Sequence, residues 1–192
     1  MSKRKKWYKG LMRVITHTSS LLAMGLVLGV TAIQAADPAP SGMRAQFLSQ
    51  LADIEKKMNT LAVAMPADKY SWRPAPGVRS ISEVYVHIAG ANYLFASFVG
   101  AKPPAGLSRD MEKTVTEKPK VLDVMKQSFE HARQTVLGLS DEDMSKPVKM
   151  FGRDTTYGGV LFTMANHMHE HLGQSIAYAR NNGVVPPWSM KE

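Results

Sequence analysis

Apolar residues recur at spacings of three and four along four stretches of the chain, a period that predicts four amphipathic helices. The first covers about residues 43–64, with Phe47, Leu48, Leu51, Ile54, Met58 and Leu61 inward and Asp53, Glu55, Lys56 and Lys57 mostly outward. The second opens at Ser80, which has the capping-box spacing to Glu83, and carries Val84, His87, Ala91, Leu94 and Phe98 on one stripe. A third, at about residues 119–139, places Leu122, Met125, Phe129, Ala132 and Val136 inward and leaves His131 off the stripe, on the exposed side. The fourth carries Val160, Met164, His167, His171, Gln174 and Tyr178 on one stripe; Gly183 supplies a stop, and Pro186 and Pro187 forbid continuation. Residues 69–79 hold two prolines and a glycine and read as an ordered loop, residues 100–118 as a long connection, and residues 141–159 as polar and irregular. With no convincing strand, the pattern predicts an all-α four-helix bundle, and its long links allow neighbouring helices to run parallel.

The fourth helix concentrates the chemistry. Three of the six histidines fall within residues 166–174. His167 and His171, four apart, share a face, whereas His169, about 200° round from His167, points away and reads as a surface residue. Two imidazoles on an inward stripe either hydrogen-bond their neighbours or direct nitrogens at one ion, and the pair alone leaves both open. His87 on the second helix also faces inward, and alone reads equally as a satisfied core histidine.

Composition narrows the alternatives. Lys3, Arg4, Lys5, Lys6, Lys9 and Arg13 precede an apolar run over residues 21–33, closed by Ala35 and Ala36, which is the layout of a secretory signal. The expected organisation is a signal peptide at 1–35, a flexible lead-in at 36–42 and a bundle domain at 43–192. Such a product is exported, periplasmic or secreted, and keeps no stable membrane span after cleavage. Six of the 24 basic residues and none of the 16 acidic ones lie before residue 36, so the remainder carries only +2. That charge offers no basic stripe for a phosphate backbone and excludes nucleic acid as the expected partner. Cysteine is absent, which excludes a thiol nucleophile, a thiolate metal site and any disulfide.

Trp72 to Gly77, Ser80 with Glu83, His87, Asn166 with His167, His171, Gly173 with Gln174, and Gly183 with Pro186 and Pro187 together resemble the DinB / YfiT-like family across essentially the whole domain. The resemblance implies an up-down-down-up bundle holding a divalent metal on three histidines, here His87, His167 and His171. Zn²⁺ and Ni²⁺ lead the expectation, and Fe²⁺, Mn²⁺ and Cu²⁺ also suit imidazole ligands. Many members read His-His-Arg-Gly-Gln where this chain has Glu170, His171, Leu172, Gly173 and Gln174, a departure at the outer rim of the site. The family includes thiol-dependent S-transferases and isomerases. An open three-histidine site supports either metal-dependent hydrolysis or thiol transfer on an unidentified small molecule, and export favours water over thiol as the open ligand. Glu83 and Glu170 are the candidate general bases, each with a plainer role as cap or solvated face. Gln174 is the candidate support behind the ligands, and Trp72 and Tyr178 are candidate pocket walls. The alternative is a non-catalytic metal- or ligand-binding bundle, or one whose helix faces form a homodimer.

Overall fold

The computed structural model describes residues 39–108 and 110–190. The basic leader, the apolar run, the cleavage point and the start of the lead-in lie outside the described residues. The described chain forms α1 (Gly42–Ala64), α2 (Ile81–Phe98), a one-turn α3 (Met111–Thr114), α4 (Lys118–Leu137) and α5 (Tyr157–Asn181), with a hairpin of β1 (Pro147–Met150) and β2 (Arg153–Thr156) before α5. Among the described residues no helix is long and apolar enough to cross a membrane.

The four long helices bury the stripes that their sequences mark. Phe47, Leu51, Ile54, Met58 and Leu61 of α1 meet Met125, Phe129, Ala132 and Val136 of α4, together with Val160, Met164 and Met168 of α5, in one core. Each large side chain removed from water there contributes about 1.5–3 kcal/mol. Two details differ from the periodic reading. In α4, Val121 is fully buried and Leu122 only partly so. In α2, Leu94 is 46% exposed, and Ile88 and Phe95 are buried with Val84. The face of α2 bearing His87 and Leu94 is therefore the edge of the buried surface, where the bundle opens to solvent.

Contacts between helix ends fix the topology. Lys118 at the start of α4 donates to the carbonyls of Val63 and Met65, at 2.7 and 2.6 Å, beside the end of α1. Ser41 and Arg44 at the start of α1 both bind Asp141, just beyond α4. Thus α1 and α4 are antiparallel. Met65, Ile81, Val84, Tyr85, Ser175 and Tyr178 surround one small space, which puts the end of α1, the start of α2 and the end of α5 together. The order is up-down-down-up: α2 and α4 run parallel, and the link over residues 99–117, carrying α3, returns the chain along the bundle.

Residues 141–159 are more regular than their composition indicates. β1 and β2 pair antiparallel with Met150 opposite Arg153, leaving Phe151 and Gly152 as a two-residue turn. Both have positive φ, 51° and 80°, as a type I′ turn requires. Phenylalanine is an unusual choice there, and a turn signal of the Asn-Gly kind is missing from the sequence. Its ring instead packs edge-on against Phe95 and Phe98 of α2, at 6.2 and 5.2 Å between centroids. Thr156 caps α5 by accepting from the Gly159 amide at 3.2 Å, so Gly158 and Gly159 form its first turn. His131 departs from expectation in the opposite sense: it is half-buried, edge-on to Tyr93, and its Nε2 is enclosed without a partner among the described residues.

Candidate metal centre

His87 stands on the opening turns of α2, and the loop before it is tightly fixed. The Tyr70 hydroxyl donates to the Ala62 carbonyl at 2.8 Å, while the Ile81 and Ser82 amides donate to the carbonyls of Trp72 and Tyr70 at 3.0 and 2.9 Å. The capping box is complete: the Glu83 amide donates to Ser80 Oγ at 3.3 Å, and the Ser80 amide donates to Glu83 Oε2 at 2.7 Å. His167 and His171 stand one turn apart on α5, across from His87.

The three rings converge. His87 Nε2 and His167 Nε2 are 3.1 Å apart, and one nitrogen from each of the three histidines lies within 4.8 Å of the others. A tetrahedral ion with Zn–N bonds of about 2.0–2.1 Å needs its ligand nitrogens roughly 3.3 Å apart. The donor set is therefore of the right size and type for a divalent cation.

Outer hydrogen bonds orient two of the rings. His87 Nδ1 lies 2.7 Å from Glu112 Oε1; an ionised carboxylate only accepts, so this nitrogen carries the proton and Nε2 presents its lone pair inward. His171 Nδ1 likewise lies 2.7 Å from Gln174 Oε1. Gln174 Nε2 donates to the Tyr178 hydroxyl at 3.0 Å, which fixes the amide so that its oxygen faces the histidine. His167 is held by packing instead. The edge of Phe95 meets its ring at 5.6 Å, and its Nδ1 is buried with no partner among the described residues.

Electrostatics keep these lone pairs available. Burial pushes the His87 pKa below its ordinary value, against the opposing hydrogen bond from Glu112. Burial, reinforced by the neighbouring His171, lowers His167 to about 4. Both rings are thus neutral near neutral pH, the state in which imidazole ligates. Burial alone would raise the Glu112 carboxyl, but hydrogen bonds from Arg79 and His87 hold it below its usual range and so ionised.

The other site candidates fall in different places. Gln174 stands behind His171, with its Oε1 on His171 Nδ1. Trp72 packs edge-on against Tyr178 at 5.3 Å between centroids, which makes the pair a wall of the loop and α5 junction. His169 and Glu170 are exposed. Glu83 is only 5% exposed and binds Lys113 at 2.7 Å and Arg73 at 3.1 Å. Burial pulls its pKa upward, but Lys113, the Ser80 amide and Arg73 outweigh that and hold it at about 2, too low for a proton acceptor near neutrality. Glu170 lies exposed on α5, and the residues that converge at the cluster are His87, His167 and His171.

Two residues at the site escaped sequence reasoning. Glu112 sits on α3 inside the link that reads as mere connection, and no local pattern marks it. Arg79 donates through Nε to Glu112 Oε2 at 2.8 Å, and its carbonyl accepts from the Tyr178 hydroxyl at 3.3 Å. Two chains of hydrogen bonds, His87–Glu112 and His171–Gln174–Tyr178, therefore end on Arg79 and tie the ligand-bearing helices together. Leu172 is buried, and a cation beside this site, Arg79, comes from the loop before α2.

Fold and cluster define the molecule as a four-helix bundle presenting three convergent histidines from two of its helices. Residues 50–175 match the DinB superfamily model, and the chain belongs to that superfamily. It is similar to the uncharacterized protein YjoA of Bacillus subtilis strain 168, with 25% identity over 142 residues, covering 72% of this chain and 90% of YjoA. Among solved structures it is similar to a DinB-like protein from Bacillus cereus ATCC 10987, with a TM-score of 0.66 and 21% identity, covering 74% of this chain and 95% of that one. It is also similar to YfiT from Bacillus subtilis, with a TM-score of 0.59 and 13% identity, covering 78% of this chain and 93% of YfiT. YfiT is described as a probable metal-dependent hydrolase with an unusual four-helix bundle topology.

Proposed function

We propose that this protein is a metal-dependent hydrolase acting on a small molecule, with His87, His167 and His171 holding one divalent ion. The carrying observation is the convergence of three imidazoles, two of them oriented from behind by Glu112 and Gln174. The description of YfiT as a probable metal-dependent hydrolase supports the same reading. A bound divalent ion would supply Lewis acidity and lower the pKa of a coordinated water toward about 7.

This chain's own residues supply positioning. Glu112 fixes the tautomer of His87, Gln174 fixes that of His171, and Phe95 packs against the ring of His167. Glu83 is engaged by Lys113 and Arg73, and Glu112 by His87 and Arg79, so neither carboxylate is free to take a proton from water. The basic and apolar leader supports an exported product cleaved after Ala35, where water is a more available co-reactant than a small thiol.

The test is metal analysis of the purified protein joined to a hydrolytic screen of esters and amides. Wild type should hold about one ion per chain and His167→Ala essentially none, with turnover following the metal. Full metal retention in a triple alanine variant of the three histidines would end this reading. Amino-terminal sequencing of the exported protein checks the cleavage point.

A further inference from the structure

Arg73, Arg79 and Lys113 surround the opening of α2, facing two carboxylates, Glu83 and Glu112. Arg73 and Lys113 are consumed by the buried Glu83, and Arg73 Nη1 also donates to the Val78 carbonyl at 2.7 Å. Arg79 is different. Only its Nε is used, on Glu112, and among the described residues its two Nη groups make no hydrogen bond. Its side chain is 42% exposed.

The remaining oxygen of Glu112 is already given to His87, so this carboxylate is spent twice. Arg79 therefore stands one carboxylate away from His87, on the opposite oxygen of Glu112. A divalent ion on the three histidines would leave the mouth with a guanidinium and a dication against a single negative charge. Arg79 is also held in place before any ligand arrives: Glu112 grips its Nε, and Tyr178 its carbonyl. A guanidinium fixed through Nε with both Nη groups open is a ready two-pronged donor for a planar oxyanion.

We infer that the Arg79 fork is the anion-recognition element of this site, so that the small molecule handled there carries a carboxylate or similar oxyanion beside the group offered to the three histidines. The inference rests on the reading of those histidines as a metal centre. It assigns Arg79 to substrate selection in addition to its place behind the ligands.

The test uses the full-length, metal-loaded chain, with glutarate, its neutral diamide and acetate as probes, followed by calorimetry. Acetate has one carboxylate and reaches only the open coordination positions, whereas glutarate can occupy those and the Arg79 fork together. Glutarate should bind wild type more tightly than the diamide. Arg79→Gln should weaken glutarate by about tenfold and change acetate by less than about twofold. Equal weakening of both acids would mean that Arg79 acts only through Glu112 and His87, and would overturn the inference. An unchanged glutarate affinity, or a diamide that binds as well as the acid, would overturn it too. Metal content is measured on the same samples. A wild type without metal would overturn the metal centre, and the fork would then be judged on the metal-free chain, where glutarate binding must still depend on Arg79.

Discussion

Glu112 offers the sharpest test of how the histidine cluster is built. Its Oε1 lies 2.7 Å from His87 Nδ1, and its other oxygen is held by Arg79 at 2.8 Å, so the carboxylate is fixed at both ends. Removing it has two costs for metal binding: His87 loses the acceptor that selects its Nε2 lone pair, and the ring regains rotational freedom. A charge-assisted hydrogen bond of this kind contributes about 1.5–3 kcal/mol, equivalent to roughly ten- to a hundredfold in metal affinity. Glu112→Ala should lie at the upper end of that range. Glu112→Gln should lie at the lower end, because the amide oxygen can still accept from Nδ1 but its NH₂ then confronts Arg79, donor against donor. Gln174→Ala, which removes a neutral acceptor from His171, should cost about two- to tenfold. Competition against a chelator of known affinity at fixed pH measures all three, with circular dichroism confirming that each variant is folded. If Glu112→Ala bound metal as tightly as wild type while His167→Ala bound none, the centre would exist without the support deduced for it, and the account of His87 would be wrong.

Further expectations concern stability. Glu83 has its pKa depressed from 4.5 to about 2, so its ionised form stabilises the fold above pH 4.5 and that contribution is lost as pH falls toward 2. Allowing for screening of its exposed partner Lys113, Glu83→Gln should cost about 2 kcal/mol at pH 7. The deficit should shrink on acidification while metal affinity stays at the wild-type value; a strong loss of metal would restore Glu83 to the site. His131 encloses an unpartnered Nε2 beside Tyr93 among the described residues, so His131→Phe, which keeps an aromatic ring and removes the orphan polar atom, should raise stability by about 0.5–1 kcal/mol in thermal or urea unfolding. A destabilised variant would show that His131 has a partner, such as an ordered water.

What the sequence disclosed and what it withheld follow from the range of the forces involved. The stripe of Phe47, Leu51, Ile54 and Met58 records burial on one helix, so the periodicity of α1 marked the core directly, and the Ser80–Glu83 cap is likewise a contact over three residues. The His167 and His171 pair was visible for the same reason. Its convergence with His87 rests on tertiary packing, and there the family resemblance supplied what spacing could not. The hairpin was hidden because Phe151 occupies a turn position that usually signals itself through asparagine or glycine; its compensation, contact with Phe95 and Phe98, lies more than fifty residues away.

Glu112 and Arg79 illustrate the same limit at the site itself. They are separated in sequence from each other by 33 positions, and Glu112 is carried by a single turn within a link that has no periodicity to read. Such residues are placed by the crossover that lets α2 and α4 run parallel: the returning chain passes over the end of the bundle where His87 opens to solvent. A link between antiparallel neighbours could be short and would have no reason to cross that opening. The up-down-down-up topology therefore does more than arrange four rods. It delivers a carboxylate to the outer nitrogen of His87, and through that carboxylate it fixes Arg79.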